Sequence, residues 1–193
     1  MIAISGHPGC GKTTLAVRMR QRFGVPVVSY DDHETITSAP PERIAQWLGS
    51  GADYDAIALP GMEAEIARLA TLKSEPRPRF VLVDTLLGRA HGGTGRLIDY
   101  SIWIDLPADI ALARKLRQAA ARAAEAGSAP AFIDWLDSWL GHYERFIADT
   151  YRSQAERVRP LADIHIDGRM TPEAVAQATE VAIRTALGRF ECA

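Results

Sequence analysis

The clearest chemical signal lies near the amino end, in the run Gly6-His7-Pro8-Gly9-Cys10-Gly11-Lys12-Thr13, with Thr14 directly after it. This run has the form Gly-x-x-x-x-Gly-Lys-Ser/Thr, which roughly two chains in a thousand of this composition would contain by chance. Glycines at this spacing let the backbone turn tightly and point its N–H groups at phosphate oxygens. Lys12 can reach the β- and γ-phosphates, and the Thr13 hydroxyl can ligate Mg²⁺. We therefore expect residues 6–14 to bind the phosphates of ATP together with its Mg²⁺.

Two predicted strands end in carboxylates, at the place where ligands bind in an open parallel sheet. The first runs into Asp31 and Asp32, and the second reaches Asp84 after four apolar residues. Neighbours on an extended chain point in opposite directions, so one of Asp31 and Asp32 is expected to face the phosphates. Asp31 is the candidate base for an attacking hydroxyl, Asp32 is a candidate acceptor contact, and Asp84 can support Mg²⁺. A solvated Asp-Asp turn is the alternative for the first pair.

Basic residues are almost all arginine, since only Lys12, Lys73 and Lys115 of the 22 are lysines. On the predicted helix 108–126, Arg114 and Arg117 lie three residues apart and share a face. Guanidinium groups there can close over the transferred phosphoryl group, so we predict a small helical lid at about residues 108–130. A solvated basic helix face is the alternative.

Candidate acceptor residues follow the third predicted strand. Arg89 and His91 can contact an acceptor there, and a surface loop is equally compatible with their position. Trp135, Trp139 and Tyr143 recur every four residues further along the chain, which is typical of the buried face of a helix. We therefore expect these three rings in the core.

Strands and helices alternate along the chain, which favours a parallel sheet covered on both faces. The predicted strands are 2–5, 25–30, 80–87, 100–106 and 162–167, and the predicted helices are 14–23, 41–48, 62–72, 108–126, 133–151 and 172–187. We expect one α/β domain over residues 1–193. Its architecture would be the three-layer sandwich of P-loop NTPases, with a mostly parallel five-stranded sheet between helical layers.

The composition excludes several classes of protein. With 22 Lys and Arg against 24 Asp and Glu, the net charge of −2 argues against a general nucleic-acid binder. The two cysteines give no disulfide framework, and no apolar run approaches the ~18 residues of a membrane span. The first residues lack the pattern of a signal peptide, so we expect a cytoplasmic protein. There is no Asn, and hence no Asn-Lys-x-Asp guanine reader of a GTPase.

The order of these motifs resembles the uridine kinase and phosphoribulokinase group of P-loop kinases, over roughly residues 2–167. The resemblance implies that Asp31 is the catalytic base and that Arg114 and Arg117 act as the lid. It also implies that Tyr54 and Asp55 line the acceptor pocket.

The chain differs from that group at His33-Glu34, where an aromatic pair commonly helps to hold the acceptor. The expected function is an ATP-dependent kinase that moves the γ-phosphate to a hydroxyl of a small molecule, such as a nucleoside or a sugar-like compound. One alternative is a P-loop regulatory or assembly ATPase without a small-molecule acceptor. Another is a kinase of the same fold that phosphorylates an unrelated group. The oligomeric state stays open, with a homodimer among the options.

Overall fold

A computed structural model of the chain describes residues 1–34, 40–72 and 78–191, so that Lys73 and Cys192 lie outside the described part. Its strands are β1 (Ile2–Gly6), β2 (Val27–Ser29), β3 (Leu82–Asp84), β4 (Tyr100–Asp105) and β5 (Ile164–Asp167). They form one sheet in the order β2-β3-β1-β4-β5, in which every neighbouring pair is parallel. The predicted five-stranded parallel sheet is confirmed.

The helices within the described ranges are α1 (Lys12–Phe23), α2 (Pro41–Gly49), α3 (Pro60–Ala70), α4 (Gly92–Gly95), α5 (Ala108–Glu125), α6 (Ala129–His142), α7 (Ala148–Arg157) and α8 (Pro172–Glu191). Short 3₁₀ turns occur at Tyr30–Asp32, Tyr54–Ala56, Gly88–Ala90 and Arg159–Leu161, and a π-helical turn at Tyr143–Ile147. The predicted helices recur with their ends shifted by a few residues, except the one predicted at 133–151. Over the residues with a described structure, no helix combines the length and apolar character that crossing a membrane requires.

The central strand β1 explains where the candidate site must lie. Residues 2–4 are completely buried, as expected for a strand covered on both faces. The register places Asp84 beside Ile4 on one side and Ser29 on the other. Because all strands run in the same direction, the loop after Gly6, the turn after β2 and Asp84 meet at one edge of the sheet.

Helices cover both faces of the sheet. On one face, Leu15 and Met19 of α1 and Ile183 of α8 pack in a core with β1 and β4. On the other face, Met62 and Ile66 of α3 pack against the opposite side of β1 and β4. Each buried side chain of this kind contributes about 1.5–3 kcal/mol to folding. The expected three-layer sandwich is confirmed.

The segment predicted as one helix over 133–151 is divided by the π-helical turn into α6 and α7. The expectation of a core position is wrong for Trp135 and Trp139, because none of the described side chains of α6 is buried and Trp135 is 37% exposed. The rings stack on each other instead, with centroids 5.8 Å apart between Trp135 and Trp139 and 5.4 Å between Trp139 and Tyr143. This stripe faces α5 and a cleft rather than the sheet.

Candidate active site

The predicted phosphate loop connects β1 to α1. Its glycines have backbone angles that other residues rarely adopt, with φ of 154° at Gly6, 91° at Gly9 and 93° at Gly11. No described side chain caps the amino end of α1, and its first turn, residues 12–14, contains no acidic residue. The N–H groups there are open to an anion, which the helix end attracts. Lys12 begins the helix and is only 8% exposed.

Gly9 brings the loop into direct contact with α5. A Cβ atom at this position would collide with the Ala111 carbonyl oxygen, and it would lie 3.4 Å from the Cβ of Lys115. Ala111 and Lys115 are four residues apart and therefore share a face of the helix. This face of the predicted lid helix lies over the phosphate loop.

His7 and Cys10 hold the loop from within. The His7 ring is buried, stacks on Tyr151 at 5.1 Å and meets Trp103 edge-on at 5.2 Å. Its Nδ1 lies 3.1 Å from Oε1 of Gln154, and burial lowers the pKa of His7, so the ring is neutral near pH 7 and donates this bond. Burial raises the pKa of the Cys10 thiol. Neither side chain is poised for chemistry, and both position the backbone around them.

Thr13 and Asp84 form the candidate Mg²⁺ site. Asp84 is 3% exposed, and the Thr13 hydroxyl stabilises its charged form. Its Oδ1 is buried without a hydrogen-bond partner among the described residues. Burial raises the pKa of Asp84, while Lys12 and the Thr13 hydroxyl oppose this effect. A cation would satisfy the orphaned oxygen, and one carboxylate with one hydroxyl suits Mg²⁺ when phosphates and water complete its shell.

The described residues contain no cluster of three or more His, Cys, Asp or Glu side chains that could hold a metal ion by themselves. An ion at Thr13 and Asp84 would therefore depend on the phosphates of a bound nucleotide. This is the usual way in which Mg²⁺ enters sites of phosphoryl transfer.

Asp31 and Asp32 lie together in the 3₁₀ turn after β2, and both are exposed. The negative charges of both raise the pKa of Asp84, so both lie on its side of the sheet edge. Asp31 also stabilises the charged form of Lys115, whereas Asp32 has no such influence. Asp31 is therefore within electrostatic reach of both Asp84 and Lys115.

Lys115 is a candidate lid cation that sequence reasoning missed. It is half-buried on α5, and burial together with the positive charge of Lys12 lowers the pKa of Lys115, while Asp31 opposes this shift. Two lysines thus approach the same point, one from α1 and one from α5. The signal that could have found Lys115 was its residue type, since a chain with 22 basic residues has only three lysines.

The two predicted lid arginines are directed elsewhere. Arg114 donates from Nη1 to the Gly168 carbonyl oxygen, 3.0 Å away, just after β5. Arg117 is exposed, and no hydrogen bond or ion pair links it to the described residues. It is six residues beyond Ala111, which turns it about 120° from the face that lies over the loop. Neither guanidinium has a contact that places it beside Lys12.

Arg89 stabilises the opposite edge of the sheet. Its guanidinium donates to the carbonyl oxygens of Ile98 at 3.3 Å, Asp99 at 2.8 Å and Leu161 at 3.1 Å, and pairs with Asp163 at 2.8 Å. These partners precede β4 and β5, because the chain after β3 runs back along the sheet. The predicted contact between Arg89 and an acceptor is not supported by this position.

His91 and Asp55 stabilise the short helix α4. His91 is buried, accepts at Nδ1 from the Thr94 N–H at 3.0 Å and donates from Nε2 to the Ile57 carbonyl oxygen at 3.0 Å. Asp55 accepts from the Gly92 N–H at the start of that helix. All the hydrogen-bonding capacity of the His91 ring is used, so we leave His91 and Asp55 out of the acceptor site.

Tyr54 lines a cavity beside the phosphate loop. Its hydroxyl lies 3.3 Å from Oγ of Ser153, and its ring meets Trp47 edge-on at 5.3 Å. The cavity measures about 410 Å³ and extends from Pro8 and Lys115 to α2. Its volume is within the range typical of small-molecule sites.

A larger cavity of about 880 Å³ lies over the ends of β4 and β5. Its charged side chains are mostly paired, for example Arg159 with Asp105 at 2.9 Å and Arg169 with Asp167 at 3.0 Å. The hydrogen bonds from Arg159 lower the pKa of Asp105. Tyr151 contributes to both cavities, which lie on either side of it.

Comparison with known proteins gives no match to a protein-family profile and no match to a curated protein. Solved structures with a similar fold include the shikimate kinase of Aquifex aeolicus, at 16% identity and a TM-score of 0.51, covering 95% of this chain and 96% of that one. They also include the shikimate kinase of Acinetobacter baumannii in complex with shikimate, at 16% identity and a TM-score of 0.52, covering 97% and 93%. The likeness spans nearly the whole of each chain. It shows that this chain has the fold of P-loop kinases, without singling out the uridine kinase group.

Proposed function

We propose that this protein is an ATP-dependent kinase that transfers the γ-phosphate to a hydroxyl of a small molecule. One observation supports it above the others: the open amino end of α1, two lysines and three carboxylates converge at one sheet edge, beside a cavity of about 410 Å³. The lysines are Lys12 and Lys115, and the carboxylates are Asp31, Asp32 and Asp84. The fold shared with shikimate kinases agrees with this activity.

Each group has a part in the transfer. The loop amides and Lys12 bind the phosphates, and Lys115 approaches the γ-phosphate from α5. Thr13 and Asp84 would hold Mg²⁺, which neutralises charge on the phosphate oxygens when bound. Asp31 accepts the proton of the acceptor hydroxyl as its oxygen bonds to the γ-phosphorus. The bond from that phosphorus to the bridging oxygen breaks, and ADP leaves with the electron pair.

The cavity distinguishes this proposal from the alternative of an assembly or regulatory ATPase. A kinase needs room for an acceptor next to the γ-phosphate, and the space between Pro8, Lys115 and α2 meets that need. An ATPase that activates only water needs no such cavity. Nothing in the described residues specifically favours the ATPase.

The finer assignments also belong to this proposal. A relation to the uridine kinase group is supported by the motif order alone. We retain one kinase-like domain over residues 1–193, a small-molecule acceptor rather than a nucleic acid, and a cytoplasmic location. We extend the lid from residues 108–130 to the hairpin of α5 and α6, because α6 packs on α5.

Substitution of the candidate base tests the proposal. In Asp31→Asn, kcat for acceptor-dependent ADP release should fall by about 10²–10⁴-fold, since a general base contributes that much. The Kd for MgATP, measured by calorimetry, should change less than about twofold. Asp32→Asn is the matched control in the same turn and should retain most of the activity. Lys12→Ala should abolish transfer.

Two results would contradict the proposal. Full activity in Asp31→Asn would show that Asp31 is not the base, while the assignment of the fold would still hold. If the unaltered protein did not bind MgATP supplied at millimolar concentration, the proposed kinase activity would be refuted.

A further inference from the structure

The cavity beside the phosphate loop also indicates what kind of acceptor it takes, an inference that rests on the proposed kinase function. Its walls come from α2, the 3₁₀ turn at Tyr54–Ala56, the chain after β3, the π-helical turn and α7. The described lining residues are Pro8, Tyr30, Pro41, Ile44, Trp47, Tyr54, Ile57, Leu86, Leu87, Lys115, Trp139, His142, Phe146, Ile147, Thr150, Tyr151 and Gln154. Most of these side chains are apolar or aromatic.

The walls offer little to a charged acceptor. Among the described lining residues there is no Arg, Asp or Glu, and Lys115 is the only residue with a permanent charge. Lys115 lies over the phosphate loop and interacts with Lys12. Its ammonium group is therefore assigned to the nucleotide phosphates and not to the body of the acceptor. A carboxylate or phosphate on the body of the acceptor would be buried without a partner, which is strongly unfavourable.

Five polar side chains of the walls already have partners within the protein, whereas the Tyr30 hydroxyl and the His142 ring form no hydrogen bond with the described residues. The bonds are Trp47 Nε1 to the Asp53 carbonyl at 2.6 Å, Tyr54 hydroxyl with Ser153 at 3.3 Å, Thr150 hydroxyl to the Ile147 carbonyl at 2.7 Å, Tyr151 hydroxyl to the Pro8 carbonyl at 3.1 Å, and Gln154 with His7 at 3.1 Å. A sugar would bury several hydroxyls against these walls, and each unpaired one lowers affinity.

Flat rings make up much of the remaining wall. Trp47 meets Tyr54 edge-on at 5.3 Å, and the rings of His142 and Phe146 lie 5.5 Å apart. Trp139 is partly exposed, and its ring stacks on those of Trp135 and Tyr143. Ring faces and edges of this kind pack well against another ring.

We propose that the acceptor is an uncharged alcohol with an apolar, ring-containing body and few polar groups besides the hydroxyl that takes the phosphate. The hydroxyl lies at the end of the cavity formed by Pro8 and Lys115, and the ring lies toward Trp47 and Tyr54. Sugars, nucleosides and hydroxy acids such as shikimate are poor fits to the same walls.

A matched set of compounds tests this specificity by calorimetry. The probe is 3-phenylpropan-1-ol, and its comparison is 3-phenylpropanoate, which has the same ring and chain with a carboxylate end. Glucose, uridine and shikimate complete the set. The alcohol should bind at least about tenfold more tightly than any of the other four. Equal or tighter binding of any of them would overturn the proposal.

Variants of the cavity wall test whether the preference for the alcohol arises in this cavity. Ile44→Arg places a cation in the wall, so 3-phenylpropanoate should gain affinity and the alcohol should lose it. Ile57→Arg is a second variant at another wall, for use if the first does not fold. Ile133→Arg is the control, because Ile133 is 64% exposed on α6 and outside the lining. An unchanged order of affinities in a folded cavity variant would overturn the assignment of this cavity.

MgATP binding is measured on the same protein samples, which separates the two proposals. If MgATP binds and the alcohol is not preferred, only the acceptor class is wrong. If MgATP does not bind, the kinase proposal fails, and the acceptor inference fails with it.

Discussion

Replacement of Lys115 by Met removes the lid cation and keeps most of the aliphatic stem. Lys115 is half-buried, faces the loop beside Gly9, and interacts with both Lys12 and Asp31. A hydrogen bond from a charged group to a phosphate contributes about 1.5–3 kcal/mol. If that bond forms in the transition state, kcat/KM should fall by about 10–150-fold.

The same substitution that lowers activity, Lys115→Met, should leave the stability of the protein unchanged or raise it. Burial and Lys12 lower the pKa of Lys115, which means that folding disfavours its charged form. Near pH 7 the charge therefore destabilises the protein without ligand, and the neutral Met relieves this. We expect Lys115→Met to unfold at the same or a higher denaturant concentration than the unaltered protein, so that lost activity cannot be ascribed to unfolding.

The pH profile gives a second measurement. A lysine with a lowered pKa loses its proton at a lower pH than an ordinary lysine, so kcat/KM should decline on the alkaline side, and this decline should disappear in Lys115→Met. Arg117→Met is the control on the same helix, and it should change kcat/KM less than about twofold. Equal losses in the two variants would refute the placement of Lys115 as the phosphate contact.

Three further predictions concern stability and the loop. Because burial raises the pKa of Asp84, its carboxylate destabilises the fold above that pKa, so Asp84→Asn should raise the free energy of unfolding by about 1.4 kcal/mol per pKa unit while abolishing Mg²⁺-dependent transfer. This gain should shrink as the pH falls toward 4 in denaturant titrations, and a gain independent of pH would contradict it. Gly9→Ala should eliminate MgATP binding because of its collision with Ala111. Gly141→Ala, with open space around it in α6, should stabilise by up to about 1 kcal/mol in the same titrations.

The parts of the site that the sequence predicted are those set by local chemistry. The phosphate loop depends on glycines and a lysine at fixed spacing, and the structure gives it the expected backbone. Asp84 could be predicted because a buried strand that ends in an acid is visible in the sequence, and the structure places it at the common edge where parallel strands end. For the phosphate loop and Asp84, the order of strands and helices is enough to predict where the residues lie.

The choice of lid cation could not be made in this way. Successive helical residues are rotated by about 100°, so Lys115 points away from the face that Arg114 and Arg117 share. Their orientation is set by the close contact between Gly9 and Ala111, which is tertiary. The path of the chain after β3 is tertiary as well, and it takes Arg89 to the opposite edge of the sheet.

The aromatic stripe of α6 shows why an amphipathic pattern does not identify a core helix. The pattern requires that one face avoids water, and a cleft that closes on a ligand meets that requirement as well as a sheet does. Trp139 lines the smaller cavity, and the buried Phe146 in the π-helical turn lines it as well. π-helical turns occur frequently at functional sites.

From that turn the chain continues into α7, which holds the phosphate loop through Tyr151 and Gln154. Both side chains also line the smaller cavity, so the groups that fix the loop backbone would touch the acceptor. A ligand in this cavity would therefore press on the side chains that position Pro8 and His7. If the acceptor binds in this cavity, its recognition and the position of the phosphate loop depend on the same two side chains, Tyr151 and Gln154.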